Sequence, residues 1–298
     1  MPGVIEVPDK KRGHFAEVFF AAQAGVLSTV LTQPFEFMKV QCQLAGQNHF
    51  GAQPRGLILA RQAVAEHGFH KLWAGVEPAL ASRANYIAMR LGIYKSIVEK
   101  AKKEDRYHSV PVWYKACAAA YAGGLSGFVN APLDLIATRM QADHLLPEAQ
   151  RKNYPLMPPA VAKVYREEGI RGLWKGSLPT TLKMVALNVG MLAPYDQFLE
   201  FSARHLGDLA GIKLMAAYYA AMCGCLLATP FDNIKTKMQV QLPGVHAHPY
   251  KGMIDCILKT NAREGVAGFY VGYWMHVARV GPQAFLALKI LEYFNHYI

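Results

Sequence analysis

Three prolines constrain this chain more than anything else in it. Pro34, Pro132 and Pro230 recur at a constant spacing of 98 residues, and an acid stands two positions after each: Glu36, Asp134 and Asp232. The first copy runs on to Lys39, Gln41 and Gln43, the second to Arg139 and Gln141, the third to Lys235, Lys237 and Gln239. A fixed internal period means that one structural unit is used three times and that each copy buries a face against the next.

An apolar run precedes each proline, at 15–35, 116–133 and 214–231. Crossing ~30 Å of hydrocarbon takes about 20 apolar residues. With the helical turns beyond each proline added, all three runs are expected to span a membrane. A proline inside such a helix removes a backbone hydrogen bond and bends it. Small residues lie thirteen and nine positions upstream of each proline: Ala21 and Gly25, Ala119 and Gly123, Ala217 and Ala221. Such a face lets neighbouring membrane helices approach closely.

A second motif follows each proline. It reads Glu66-His67-Gly68 to Trp73-Ala74-Gly75, then Glu168-Gly169 to Trp174-Lys175-Gly176, then Glu264-Gly265 to Tyr270-Val271-Gly272. Short amphipathic stretches before it, near 56–65, 159–167 and 253–262, read as surface helices capped by glycine. Long segments after it, at 76–98, 177–201 and 273–298, carry Arg83, Arg90 and Lys95, then Lys183 and Asp196, then Arg279, Lys289 and Glu292. Charges in spanning helices usually face an internal cavity and mark function. The expected architecture is an all-α membrane protein, with six spanning helices and three short surface helices in three repeats at 10–107, 108–207 and 208–298.

Composition agrees with helices that keep one polar face. The chain is 52% hydrophobic and 18% charged, yet its mean hydropathy is only +0.09. A net charge of +11 points to anionic partners, such as lipid or solute. The basic residues are scattered singly without interleaved aromatics, which argues against nucleic acid. The five cysteines form no paired framework, and Cys223 and Cys225 sit in an apolar run as free thiols. His14, His67 and His276 have no nucleophile or metal-ligand constellation around them, so neither an enzyme nor a metal or cofactor site is expected. The first twelve residues mix acids and bases and match neither a signal peptide nor an acid-poor transit peptide. No cleaved presequence is expected.

With its three proline-acid signatures, its second motif and its triplication, the chain resembles the mitochondrial carrier family over almost its whole length. Within that family it most resembles the branch exchanging 2-oxoglutarate and malate. The matching stretches are Arg90-Leu91-Gly92-Ile93-Tyr94, Arg139-Met140-Gln141-Ala142-Asp143 through Leu146-Pro147 to Gln150-Arg151, Arg166 to Gly169, and Ala278 to Pro282. The resemblance implies a three-fold barrel in the mitochondrial inner membrane, around a cavity closed alternately on either side. It also implies an anionic lipid such as cardiolipin at the surface-helix termini.

The family pattern implies a matrix gate at Pro34, Glu36, Lys39, Pro132, Asp134, Arg139, Pro230, Asp232 and Lys235. In it Asp134 pairs with Lys235 and Asp232 with Lys39, while Glu36 faces Ala137 where a base belongs. A cytoplasmic gate is implied at Lys95, Asp196 and Glu292, with Leu199 and Asn295 in place of bases. Substrate positions, seven residues after the second motif's last glycine, fall on Ser82, Lys183 and Arg279. Arg83 and Met184 adjoin them, and further positions map to Arg90 and Lys115. A dicarboxylate needs two cationic ends, preferably with forked guanidinium groups. The functional expectation is a dicarboxylate antiporter. The alternatives are a carrier-fold protein recruited as a structural subunit of an inner-membrane complex, and an uncoupling-type proton conductor.

Overall fold

The computed structural model describes residues 14–45, 58, 61–62, 64–65, 68–103, 111–143, 151–152, 154, 156–205, 212–241, 250–283 and 286. Among these there is no strand. The long helices are α1 (His14–Ala45), α2 (Val76–Lys103), α3 (Val112–Ala142), α5 (Ser177–His205) and α6 (Ile212–Val240). A further helix, α8, covers 273–283. Shorter helices α4 (Met157–Leu173) and α7 (Met253–Glu264) precede α5 and α8. Residues 58, 61–62 and 64–65 are helical at the corresponding place in the first repeat. Pro34, Pro132 and Pro230 all lie inside their helices.

The helices close into a ring. α1 packs on α2, α2 on α3, α3 on α5 and α5 on α6, while α1, α3 and α6 also meet one another. Ala221 and Cys225 of α6 share a buried cluster with Val277 and Val280 of α8. Gln283 of α8 then donates to the hydroxyl of Thr29 on α1 at 3.1 Å, closing the circle. The small residues nine positions before each proline sit where paired helices touch: Gly25 under Ile87, Gly123 under Asn188 and Ala221 in the α6–α8 cluster.

No described helix is long and apolar enough to cross a membrane. The expectation that the three proline-bearing runs qualify on hydropathy is therefore corrected. The reason lies in the direction of their side chains. Ser28, Thr32, Gln33, Gln41, Gln43, Asn130, Asn233 and Gln239 are buried, whereas Leu27, Leu31, Leu125, Phe128, Leu226 and Leu227 are exposed. Each helix is polar toward the ring's interior and apolar outward, so its average hydropathy is low although its outer face suits lipid. Helices of 29–32 residues, α1, α3, α5 and α6 among them, are long enough to cross ~30 Å even when tilted.

Glycine decides how the repeats dock. Gly75 holds φ +70°, and a Cβ there would stand 2.9 Å from the backbone oxygen of Ala137. Gly176 and Gly272 repeat this closeness against Gln239 and against Gln43 and Lys39. The last glycine of each second motif thus rests on the signature helix of the next repeat.

Candidate functional site: a ring of acids between the repeats

The three signature acids lie where α1, α3 and α6 converge. Lys39 Nζ stands 3.0 Å from Asp232 Oδ2, and Lys235 Nζ stands 3.0 Å from Asp134 Oδ2. Each base crosses to the acid of the preceding repeat. The second repeat has buried Ala137 at that position. Glu36 instead takes its own Lys39 at 2.6 Å and Arg279 at 2.5 Å. The Arg279 contact is an ion pair off the line of a hydrogen bond.

A second cyclic rule emerges from the positions expected to hold substrate. Ser82 donates to Asp134 Oδ1 at 2.6 Å. Lys183 lies 2.7 Å from Asp232 Oδ1. Arg279 reaches Glu36. Each of the three therefore touches the acid of the following repeat. Every signature acid sits between a group from the repeat before it and, except at Glu36, a base from the repeat after it.

Glutamines complete the ring. Gln43 donates to Asp232 Oδ2 at 2.9 Å and accepts from Thr236 at 2.7 Å. The equivalent Gln239 accepts from Thr138 at 3.0 Å. Gln41 donates to the backbone oxygen of Gln141 at 2.9 Å. Gln43, Gln141 and Gln239 each stand nine residues after their proline, and that periodicity is the signal that could have assigned them to the seams.

Arg139, grouped with the gate from its sequence position, is not in this ring. Its guanidinium forks onto Glu168 of α4 at 2.5 and 3.0 Å, and its Nε donates to the backbone oxygen of Gln239 at 2.9 Å. Lys237, at the same offset in the third repeat, pairs with Glu264 of α7 at 2.6 Å. These bases tie each surface helix to its own repeat. The partner is the glutamate that opens the second motif. Glu66, its counterpart in the first repeat, lies outside the described residues.

Around the ring, α2 contributes a polar ladder that sequence reasoning missed. Arg90 donates to Asn188 Oδ1 at 2.7 Å, and Asn188 donates to the Tyr86 hydroxyl at 2.9 Å. Asn85 donates to Asn130 at 3.1 Å, and Asn130 donates in turn to the Ser82 hydroxyl. Asn85, Asn130 and Asn188 have no counterparts in the other repeats, so no periodicity marks them. The guanidinium of Arg83 lies within electrostatic reach of Arg90, Arg279 and Asp134. Met184 follows Lys183 on α5 and lies against Gly127 of α3.

Burial changes along the barrel. Lys39 and Asp232 are each 1% exposed, while Arg90, Lys95, Lys115 and Asp196 are half-buried. The signature end is the tightly closed one. Lys115 on α3 lies within electrostatic reach of Asp196 on α5. Glu292, Asn295 and Lys289 lie outside the described residues. No group of three metal-ligating side chains occurs among the described residues.

Comparison with known proteins agrees with this three-part geometry. The family model for mitochondrial carrier proteins matches residues 10–105, 108–206 and 209–298. The chain belongs to the mitochondrial carrier family. It is 33% identical over 275 residues to a putative mitochondrial 2-oxoglutarate/malate carrier protein of Neurospora crassa, covering 91% of this chain and 83% of that one. A mitochondrial dicarboxylate/tricarboxylate transporter of Arabidopsis thaliana is 33% identical over 275 residues, covering 90% of this chain and 89% of the relative. Mitochondrial uncoupling protein 5 of the same plant is 30% identical over 297 residues, covering 91% and 95%.

Proposed function

We propose that this carrier exchanges small dicarboxylates, of the 2-oxoglutarate and malate type, across the mitochondrial inner membrane by alternating access. The observation that carries this reading is a set of cations on three helices: Arg90 on α2, Lys183 on α5 and Arg279 on α8. Two of them rest on signature acids, Lys183 on Asp232 and Arg279 on Glu36. A carboxylate entering the cavity presents the same chemical group as Glu36 or Asp232. It competes for the same cation, and binding is thereby exchanged against the pairs that close the signature end. A molecule with two carboxylates engages two such cations at once, and a fork-shaped guanidinium holds each end better than an ammonium.

Gate pairs suit this task when they are individually modest and numerous, since the ring must open in every cycle. Lys39–Asp232 and Lys235–Asp134 are the inter-repeat pairs of the proposed matrix gate. Lys95, Asp196 and Glu292 are the proposed opposite gate. The similarity to 2-oxoglutarate/malate and dicarboxylate carriers, at up to 33% identity, supports the substrate class over the uncoupling type. A purely structural subunit draws no support from Ser82, because that hydroxyl is engaged with Asp134 and is not a vestige.

The test is reconstitution of the purified protein in liposomes loaded with malate, followed by uptake of labelled 2-oxoglutarate. Saturable uptake that requires internal dicarboxylate is expected. Arg279→Ala should abolish it while the protein still folds in detergent. Folded wild-type protein that exchanges no dicarboxylate would sink this reading.

A further inference from the structure

We infer that His276 is a proton-binding site built into the ring, filled when the ring opens and emptied when it closes. Its place on α8 is not part of the three-fold pattern, since Ala79 and Thr180 stand at the same offset from the second motif's last glycine. The side chain is 0% exposed. A buried imidazole ordinarily spends both ring nitrogens on partners. This one spends a single nitrogen. Nδ1 lies 3.2 Å from the hydroxyl of Thr229 on α6, and Nε2 has no hydrogen-bond partner.

The hydroxyl fixes which nitrogen carries the hydrogen. Thr229 has one hydrogen to give, and it donates that to the backbone oxygen of Cys225 at 2.6 Å. Toward His276 it can only accept, so Nδ1–H is the donor and Nε2 is left as a bare lone pair. Lys39 of α1, Lys183 of α5, Asp232 of α6 and Arg279 of α8 itself all lie within electrostatic reach of the ring. Glu36 stands one step beyond, on Lys39 and Arg279, and the Cys225 thiol of α6 packs beside Val277. Asp232 shows the matching deficit. Its Oδ1 is in ion contact with Lys183 at 2.7 Å but receives no hydrogen bond. Two buried acceptors thus stand in one neighbourhood, with no proton to share.

While the signature end is closed, a proton on Nε2 would add a fourth positive charge beside Lys39, Lys183 and Arg279. Once Lys39 and Lys183 leave Asp232, that same charge compensates a stranded carboxylate. Asp232 lies three residues after Thr229, on the same face of α6. Water entering the opened ring supplies the proton. An N–H bond forms at the Nε2 lone pair, and the imidazolium replaces the departed lysines as the cation near Asp232. On closing, the lysines return and the proton goes back to solvent. A ligand that binds one of two states better shifts the population toward it, and here the ligand is a proton. The consequence for transport rates rests on the dicarboxylate reading; the site itself does not.

The variant that tests this is His276→Asn. Its amide can still donate to Thr229, but it takes up no proton. In liposomes with equal pH on both sides, wild-type exchange of 2-oxoglutarate for malate is expected to speed up several-fold from about pH 8 to about pH 6.5, where histidine changes charge. His276→Asn should be flat over that range. A flat wild type, or a rise equally steep in His276→Asn, overturns the inference. Nitrogen NMR of isotopically labelled histidines in detergent reads the site without transport and, if the variant does not fold, without the variant. Neutral imidazole in water favours the Nε2–H tautomer, so a distinct Nδ1–H signal is expected from His276. No such signal from the wild type would refute the site even where dicarboxylate exchange is intact. Its presence in a folded protein that exchanges no dicarboxylate would uphold the site and reject the substrate reading alone.

Discussion

Asp232 and Glu36 occupy equivalent positions, and their surroundings differ in a way that the three-fold pattern alone would not suggest. Asp232 is 1% exposed, held by Lys39, Lys183 and Gln43. Glu36 is 20% exposed, held by a base from its own helix and by Arg279. One substitution in an equivalent place, Ala137, produces the contrast. Repetition thus sets the frame of the barrel, and the departure from repetition at Ala137 sets how each acid is held.

The sharpest way to break this comparison is to neutralise each acid in turn. Asp232→Asn leaves Lys183 buried without its carboxylate and Lys39 with Glu36 alone, and stranding one side of a buried pair costs about 3–5 kcal/mol. Glu36→Gln strands a more exposed arginine and leaves Lys39 its Asp232 partner, so a loss of about 1–2 kcal/mol is expected from a hydrogen-bonded charge. Thermal unfolding of the two variants in detergent reads the difference. Equal losses would show that the seams are energetically alike and that the extra cation on Asp232 contributes nothing.

The glycine contacts give a second comparison. Gly75→Ala must place a Cβ 2.9 Å from a backbone oxygen that cannot rotate away, at φ +70°. Gly272→Ala shares the unfavourable φ, at +82°, but meets its nearest atoms at 3.4 Å. The conformational term alone is about 1–2 kcal/mol for either. Gly75→Ala should therefore unfold at a clearly lower temperature than Gly272→Ala. If the two match, backbone conformation dominates and the docking of repeat one on repeat two is more yielding than its geometry indicates.

How much of this was legible in the chain follows from the same contrast. Anything repeated could be read: the three acids, the bases Lys39 and Lys235, the second-motif glycines and the equivalent positions Ser82, Lys183 and Arg279, each of which meets a signature acid. The gap at Ala137 was visible, but the partner that Glu36 takes was not, because Arg279 lies more than two hundred residues from Glu36 in the chain and its alternative partners are spatial. The ladder of Asn85, Asn130 and Asn188 carries no periodic mark. Arg139 was misassigned to the gate because an offset of five from the acid puts it on another face of the helix, toward α4. Hydropathy also misled. An averaged scale cannot separate an apolar outer face from a polar inner one, and these helices have both.

The surface-helix ties offer a gentler test of whether the repeats are interchangeable. Arg139 holds Glu168 with both ends of its fork, whereas Lys237 holds Glu264 by one contact. Arg139→Lys keeps the charge and loses the fork and the Nε bond to Gln239, so a loss of about 1–2 kcal/mol is expected from the missing charge-assisted bonds. Lys237→Arg should change little, because a single carboxylate contact is retained. Both shifts are measurable by thermal unfolding. A greater loss in Lys237→Arg would mean that the third repeat has no room for a guanidinium, and that its tie differs from the second in shape as well as in number of bonds.

At the wet edge the repeats should cease to matter. Lys152 and Glu167 form a 2.9 Å pair between the segment before α4 and α4 itself, with side chains 30% and 36% exposed. Such a pair contributes about 0–1 kcal/mol, because water screens it and two long side chains lose freedom in forming it. Lys152 differs from a simple surface base in that its backbone amide also donates to Asp143 Oδ1 at 2.8 Å, a bond that survives removal of the side chain. Lys152→Ala should therefore shift the unfolding temperature by a degree or two at most, and added salt should erase even that difference. A shift rivalling Arg139→Lys would mean that charge anchors the segment before α4 as firmly as it anchors the buried seams.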